Sequence, residues 1–412
     1  MSASAPPTQH ADLVIIGGGV FGLSIAYHYA RLEVGRVLLL ERNVLATAAT
    51  SRAAALLTRA RAKTALMPLI AQTYADIALL ETELGESLDL RQVGSLHLAA
   101  GETRARELRE LVILAERAGL RVEWVSADEA SRRVPWLNPE AVAAAAFMAE
   151  DAFIDPYRLA MAYARAARMY GASLRQRIAV HDLRQQGERI TGIVTDQGVI
   201  YAGCVVDAAG AWANVLAARI GIGLPMAPVR SQYWITAPDP LFPRDHPMVI
   251  MPDASAYSRS ELGGLLFGLR ERQSISFDPC QLPDELSGFA LGEEGGWSSL
   301  EEGAPRLRRF LPALDQLKIA SHISGLSTYT PDGLFVLGPA PGLQGFLAAT
   351  GCSGAGIAAA GGVGLGVARL AAGLPSPFDL TPFRVDRFGP IDPWSPAFRQ
   401  RCEQARSSKT SG

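Results

Sequence analysis

The chain has 412 residues, 49% hydrophobic and 19% charged, which excludes a disordered polypeptide and supplies core for about two or three domains. Its formal net charge is −2, so neither nucleic acid nor an anionic membrane is expected as a partner. Four dispersed cysteines with no CxxC pair and six scattered histidines argue for a reduced, cytoplasmic setting, against a disulfide framework, and against a metal site.

Residues 1–19, MSASAPPTQHADLVIIGGG, lack a basic n-region, and their apolar run is cut short by glycines. They are not expected to be a signal peptide. Residues 12–17 read as a short apolar strand, GGGVFG as a turn, 20–31 as a helix and 36–42 (RVLLLER) as a second buried strand. That is the start of a βαβ unit. A helix follows over 64–84, interrupted near Pro68, then a strand over 93–100 and an amphipathic helix over 103–118. Asp155 and Pro156 fit the N-cap and N1 positions of another helix, and Gly171 fits its end. Residues 190–202 read as a hairpin turning at Asp196-Gln197-Gly198, and 204–221 as a strand, a glycine turn and a helix.

From 228 to about 323 the character changes. VRSQYWIT, PMVIMPD and GGLLFGLRE are strand-like, richer in aromatics and densely punctuated by Pro and Gly, as expected of a second, mostly antiparallel layer. In GLSTYTPDGLFVLG (325–338), Pro331-Asp332-Gly333 marks a tight turn, preceded by four hydrogen-bonding residues, Ser327, Thr328, Tyr329 and Thr330. Residues 346–368 carry no charge and could in length span a bilayer. Being mostly Gly, Ala, Ser and Val, they are read as a buried small-residue helix instead, with no membrane span. The Pro-rich tail beyond Leu374 ends in RQRCEQARSSKTSG, which is expected to fray.

Gly17-x-Gly19-x-x-Gly22 lies between strand and helix, and Glu41 ends the next strand. In such a fingerprint the first glycine makes the turn and the second lets backbone approach a pyrophosphate. The third lets helix and strand pack, and the helix N-terminus faces the phosphates. An acid at Glu41 accepts from ribose hydroxyls and disfavours a 2′-phosphate, so NADP is not expected. The fingerprint alone does not separate NAD from FAD.

Beyond it, DLVIIGGGVFGLSIAYHYA, LLLERN, ATSRAAALL, DAFIDPYRLAMAYARAA, VVDAAGAWA, PVRSQYWIT, TPDGLFVLGPAP and ATGCSGAGIAAAGG occur in order over residues 12–374. Together they resemble the D-amino-acid-oxidase-like family of flavoproteins, in particular its sarcosine, dimethylglycine and glycine oxidase/dehydrogenase branch. The resemblance implies a mixed α/β fold: a Rossmann-like FAD-binding domain from 1–92, 151–227 and 324–375, a mostly antiparallel substrate domain from 93–150 and 228–323, and a tail over 376–412. It implies FAD contacts at Gly17, Gly19, Val20, Phe21, Gly22, Glu41 and Arg42, and at Thr50, Ser51, Arg52 and Ala54 of the segment passing the phosphates and flavin. Val180 is implied at the adenine side, Gly210 and Trp212 near the pyrophosphate, Gly333 close to the cofactor, and Gly354, Gly356 and Ile357 at the pyrimidine end of the flavin. A helix beginning there would place its positive end at the flavin.

The implied chemistry is oxidation of a C–N bond in a secondary or tertiary amine or amino acid. A hydride passes to flavin N5 and the iminium hydrolyses. A 2-hydroxy acid or primary amino acid is the alternative substrate, and a flavin-binding subunit or assembly factor the non-enzymatic one. Covalent attachment in relatives uses a His shortly after the first βαβ unit or a Cys before the TPD turn. Here those neighbourhoods read Ser51-Arg52-Ala53-Ala54 and Gly325-Leu326, so FAD is expected to be non-covalent. Leu266 stands where oxygen-activating members place a Lys, which favours a dehydrogenase with another electron acceptor. Ser327 stands where glycine and D-amino-acid oxidases carry a carboxylate-binding Arg, leaving Arg52, Arg59 and Arg61 as candidate substitutes. Tyr257, Tyr329, Ser327 and Arg59 are the expected catalytic residues, with Tyr233, Met251 and Phe267 as further pocket candidates. His97 and His322 are read as structural. The partner is a small-molecule amine or amino acid. The acceptor and the homo- or hetero-oligomeric state are open.

Overall fold

The computed structural model describes residues 9–410; residues 1–8, part of the stretch not expected to be a signal peptide, and Ser411 and Gly412 lie outside that range. Two eight-stranded sheets organise the chain. The first is centred on Gln9–Ile16, which pairs in parallel with Val37–Glu41 on one side and Gly198–Asp207 on the other. Ser173–Gln176 and Phe346–Thr350 extend it in parallel, and Val336–Pro339 closes one edge antiparallel. The central strand is a continuous apolar run because both its faces are covered. Leu13 and Ile15 face the helices Val20–Arg31, Met67–Leu84, Pro156–Met169 and Ala360–Ala371, while Val14 and Ile16 face the hairpin and short helix of 180–217.

The uncharged run 346–368 divides between the strand Phe346–Thr350 and the helix Ala360–Ala371. No helix among the described residues is long and apolar enough to cross a membrane. Its small residues serve close packing: a Cβ at Gly362 would lie 2.2 Å from Leu69 Cα, and one at Gly364 2.0 Å from Ser24 Oγ. The regular helix starts at Ala360, so the groups at 354–357 belong to turns leading into it and not, as expected, to its first turn.

The second sheet runs Ile319–Tyr329, Ala227–Thr236, Gly264–Leu269, Ala256–Glu261, Met248–Met251, Ser95–Ala99, Ala144–Met148, Val122–Val125. All neighbours are antiparallel except Met248–Met251 with Ser95–Ala99. Segments 93–150 and 228–323 thus share one sheet, whose edge strand continues past 323 to Tyr329 and is bonded at Thr328 to the turn that follows Phe346–Thr350.

Over its described residues the polar tail does not fray. Pro396–Ser407 is a helix whose N-cap, Ser395 Oγ, accepts from Phe398 N. Phe398, Cys402 and Arg406, four residues apart, form its buried face against Ala227–Thr236 and Ile319–Tyr329. Burial of Arg406 is possible because Glu271 pairs with it.

Candidate active site

A cleft of about 750 Å³ opens at the carboxyl ends of the parallel strands and continues under the second sheet. At its first end Gly17 has φ +110°, and a Cβ there would stand 2.4 Å from Ala208 O, so only glycine fits this turn. Gly19 borders the cleft, and Thr50 Oγ1 accepts from Val20 N at 3.0 Å, tying the 46–54 segment to the helix start. Gly22 faces inward: a Cβ there would sit 2.0 Å from Gly17 O. The Glu41 carboxylate accepts from Gly18 N at 2.7 Å and Asn43 N at 2.8 Å, so it is already oriented beside the glycine turn. Arg42 stacks over the Trp212 ring at 4.0 Å and pairs with Asp284 at 2.8 Å, forming one wall; burial lowers its pKa.

Asp207 lies behind this part of the cleft, next in the chain to the lining residues Ala208 and Ala209. It ends the strand Gly198–Asp207, is fully buried, and accepts from Ala209 N at 3.0 Å through Oδ1, while Oδ2 has no partner among the described residues. Burial pushes its carboxyl up to about 7.

Toward the other end the cleft is lined by Arg52, Ala54, Tyr233, Tyr257, Arg270, Ser327, Tyr329, Gly354, Gly356 and Ile357. Burial raises the pKa of the Tyr257 and Tyr329 hydroxyls, and that of Tyr233 to about 12, so all three stay neutral. Arg270 lies 5.5 Å from the Tyr257 ring centroid. Ser327 Oγ accepts from Gly354 N at 3.2 Å, and Thr328 accepts from Cys352 N at 3.0 Å and Ser353 N at 2.7 Å. The strand end therefore braces the turn that carries Gly354.

Most expected residues meet in this cleft: Gly17, Gly19, Val20, Phe21, Glu41, Arg42, Thr50, Arg52, Ala54, Val180, Gly210, Trp212, Gly354, Gly356 and Ile357, together with Tyr233, Tyr257, Ser327 and Tyr329. Others do not line it. Gly22 packs helix on strand; Ser51 turns to solvent; Gly333 lies beside Lys63 Nζ. Arg59 is held by Glu150 and stacks over Tyr74, outside the cleft, and Arg61 is buried with its Nε on Thr58 O at 3.1 Å. Met251 and Phe267 are core residues of the second sheet; Leu266, on the opposite face from Phe267, is buried and does not line the cleft. His97 sits 3.7 Å from Asp151, and His322 stacks on Trp234; neither reaches the cleft. Arg270, Arg406 and Lys409 do, and none was expected there. The four-residue spacing of Phe398, Cys402 and Arg406 after Ser395-Pro396 is the signal that could have found the helix that carries Arg406 and leads to Lys409.

A flavin dinucleotide suits this donor set. One continuous cleft joins the turn at Gly17 and Gly19, the acid at Glu41, and the turn of Gly354 to Ile357, where backbone can approach a flat ring. Nothing in it demands a metal.

The profile described as "DAO: FAD dependent oxidoreductase" matches residues 12–370. The chain is 30% identical over 385 residues to 4-methylaminobutanoate oxidase (formaldehyde-forming) of Paenarthrobacter nicotinovorans, covering 93% of this chain and 46% of that one. It is 32% identical over 396 residues to mitochondrial dimethylglycine dehydrogenase of Mus musculus, covering 94% and 46%. It thus spans about half the length of these two relatives. The crystal structure of glycine oxidase from Geobacillus kaustophilus superposes with a TM-score of 0.78 at 29% identity, covering 93% of this chain and all of that one.

Proposed function

The chain belongs to the DAO family of FAD-dependent oxidoreductases, and from that premise we propose that it oxidises a C–N bond of a secondary or tertiary amine or amino acid of the sarcosine or dimethylglycine kind. The observation that carries this reading is the single cleft running from the dinucleotide turn to a wall of three neutral tyrosines. FAD, when bound, supplies acceptance of a hydride from the carbon beside the substrate nitrogen, leaving an iminium that water hydrolyses to an aldehyde or keto acid and an amine.

The chain's own residues do the rest. Gly17, Gly19 and Glu41 hold the dinucleotide end, with Arg42 and Trp212 as its wall and Gly354 to Ile357 at the ring end. No His or Cys stands at Arg52 or Gly325, and the fit is that of FAD held non-covalently. Tyr233, Tyr257 and Tyr329 make an apolar face that disfavours an ammonium and so keeps the reacting amine neutral. They also orient the carbon to be oxidised.

Anaerobic mixing of the FAD-loaded protein with a panel of N-methyl amines, N-methyl amino acids, primary amino acids and 2-hydroxy acids tests this. Loss of the yellow absorbance with the N-methylated members supports it. Loss with 2-hydroxy acids alone, or with none, overturns it.

A further inference from the structure

The C-terminal helix brings to the cleft a cation that no motif marks. Lys409, two residues beyond Pro396–Ser407, is half-buried and lines the cleft. Its ammonium donates to Ser353 O at 3.1 Å and Gly354 O at 3.2 Å. An ammonium has three donors, and the third has no partner among the described residues. No carboxylate among the described residues pairs with it. Glu271, the buried carboxylate of this region, is taken by Arg406 and Arg230. The charged side chains that bear on Lys409 are Arg61, Arg270 and Lys63, all cationic; desolvation and these neighbours lower its pKa well below the usual lysine value. An ammonium that faces a cavity with a donor open and no carboxylate beside it is completed by an anionic ligand in that cavity.

The place of this cluster is informative. Ser327 Oγ is engaged with Gly354 N, and Lys409 Nζ and Tyr329 OH flank the same glycine: a Cβ there would meet them at 3.1 and 2.6 Å. The cation therefore comes from a different element to the neighbourhood where Ser327 supplies none. Its carrier is fixed. Arg406 pairs with Glu271 and donates to Ser274 Oγ at 2.9 Å, Ser407 Oγ lies 2.8 Å from Ser274 Oγ, and Glu403 accepts from Ser276 N at 2.9 Å.

We infer that Lys409 is a specificity-determining residue that binds the carboxylate of the substrate, with Arg406 positioning the helix that delivers it. This rests on the reading of the cleft as an amine-oxidising site, and it selects amino acids over simple amines within that reading. Charge-assisted hydrogen bonding to a desolvated carboxylate confers about 10- to 100-fold in affinity.

The test uses FAD-loaded wild type, Lys409→Met and Lys409→Arg. Acetate and its neutral isostere acetamide are titrated by the change in flavin absorbance, and sarcosine is compared with dimethylamine, the same amine without a carboxylate. In Lys409→Met, acetate binding weakens about 10- to 100-fold while acetamide binding is unchanged. The KM for sarcosine rises by a similar factor with kcat retained, dimethylamine kinetics do not move, and Lys409→Arg recovers part of the acetate affinity. Unchanged acetate affinity in Lys409→Met overturns the inference, as does a fall in kcat with no change in KM or acetate binding. If the wild type oxidises neither amine, the panel of N-methylated compounds judges the proposed function, and the acetate titration still decides the role of Lys409. Should Lys409→Met lose its FAD, Lys409→Gln repeats the comparison.

Discussion

Replacing Asp207 by asparagine tests whether a buried carboxyl behind the cleft wall is kept neutral by its surroundings. Asp207 rises from 3.8 to about 7 because it is desolvated and only one of its oxygens is hydrogen-bonded. A carboxyl whose folded pKa lies above its unfolded one favours the fold while protonated; that contribution is present below pH 3.8 and lost as pH rises toward 7. The shift corresponds to a total of about 4 kcal/mol, of which about 2–3 kcal/mol is lost between about pH 5 and pH 8. The asparagine side chain cannot ionise, and its Oδ1 can keep the bond from Ala209 N. Whatever its amide gains or loses relative to a protonated carboxyl at the second position is the same at every pH. Urea unfolding of both proteins at saturating FAD, over about pH 5–8, should therefore show the stability of Asp207→Asn gaining about 2–3 kcal/mol on the wild type as pH rises. Parallel pH profiles would refute the reasoning and mean that burial does not hold the Asp207 carboxyl neutral.

Three further outcomes follow from the geometry. Gly22→Ala drives a Cβ into Gly17 O, so it should cost about 3 kcal/mol or more in urea unfolding and lose FAD on gel filtration; an unchanged midpoint would contradict the packing described. Arg59→Ala removes the pair with Glu150 and the contact over Tyr74, so about 1 kcal/mol of stability goes while kcat/KM stays within about two-fold. A large loss of turnover would return Arg59 to the site. Acid precipitation should leave the yellow colour in the supernatant, and colour in the pellet would mean a covalent link.

The dinucleotide half was legible because its determinants are local. The strand, glycine turn, helix and acid over 12–41 follow one another, and each is recognisable by spacing alone. The segments that complete it, around Gly210 and Gly354, were found through resemblance, since their glycines acquire meaning only beside the first turn. What escaped was non-local. Arg59 follows a segment that does line the cleft, and only the fold reveals that Glu150 claims it. Arg406 looked like part of a solvated tail because its partner, Glu271, is far away in sequence. Leu266 and Phe267 are neighbours in one strand and point to opposite faces: Phe267 enters the core, while Leu266 is buried on the face that carries Arg270, without lining the cleft.

The pairing order of the parallel sheet has a consequence for how the chain is made. The strand Gln9–Ile16 gains its neighbour Val37–Glu41 almost at once, but its other edge waits for Gly198–Asp207, where Gln9 comes to lie opposite Ile200. That strand in turn waits for Phe346–Thr350. At a ribosomal pace of about 5–20 residues per second, roughly 20 to 60 seconds separate the emergence of the Gly17 turn from that of the Gly354 turn. Throughout the first part of that interval an apolar edge stands open to other nascent chains. FAD cannot assist at this stage, because the two ends of its cleft do not yet exist together. Slower synthesis lengthens the exposure and chaperone capture shields it, so the yield of folded protein depends on an interval that ends before any cofactor can act.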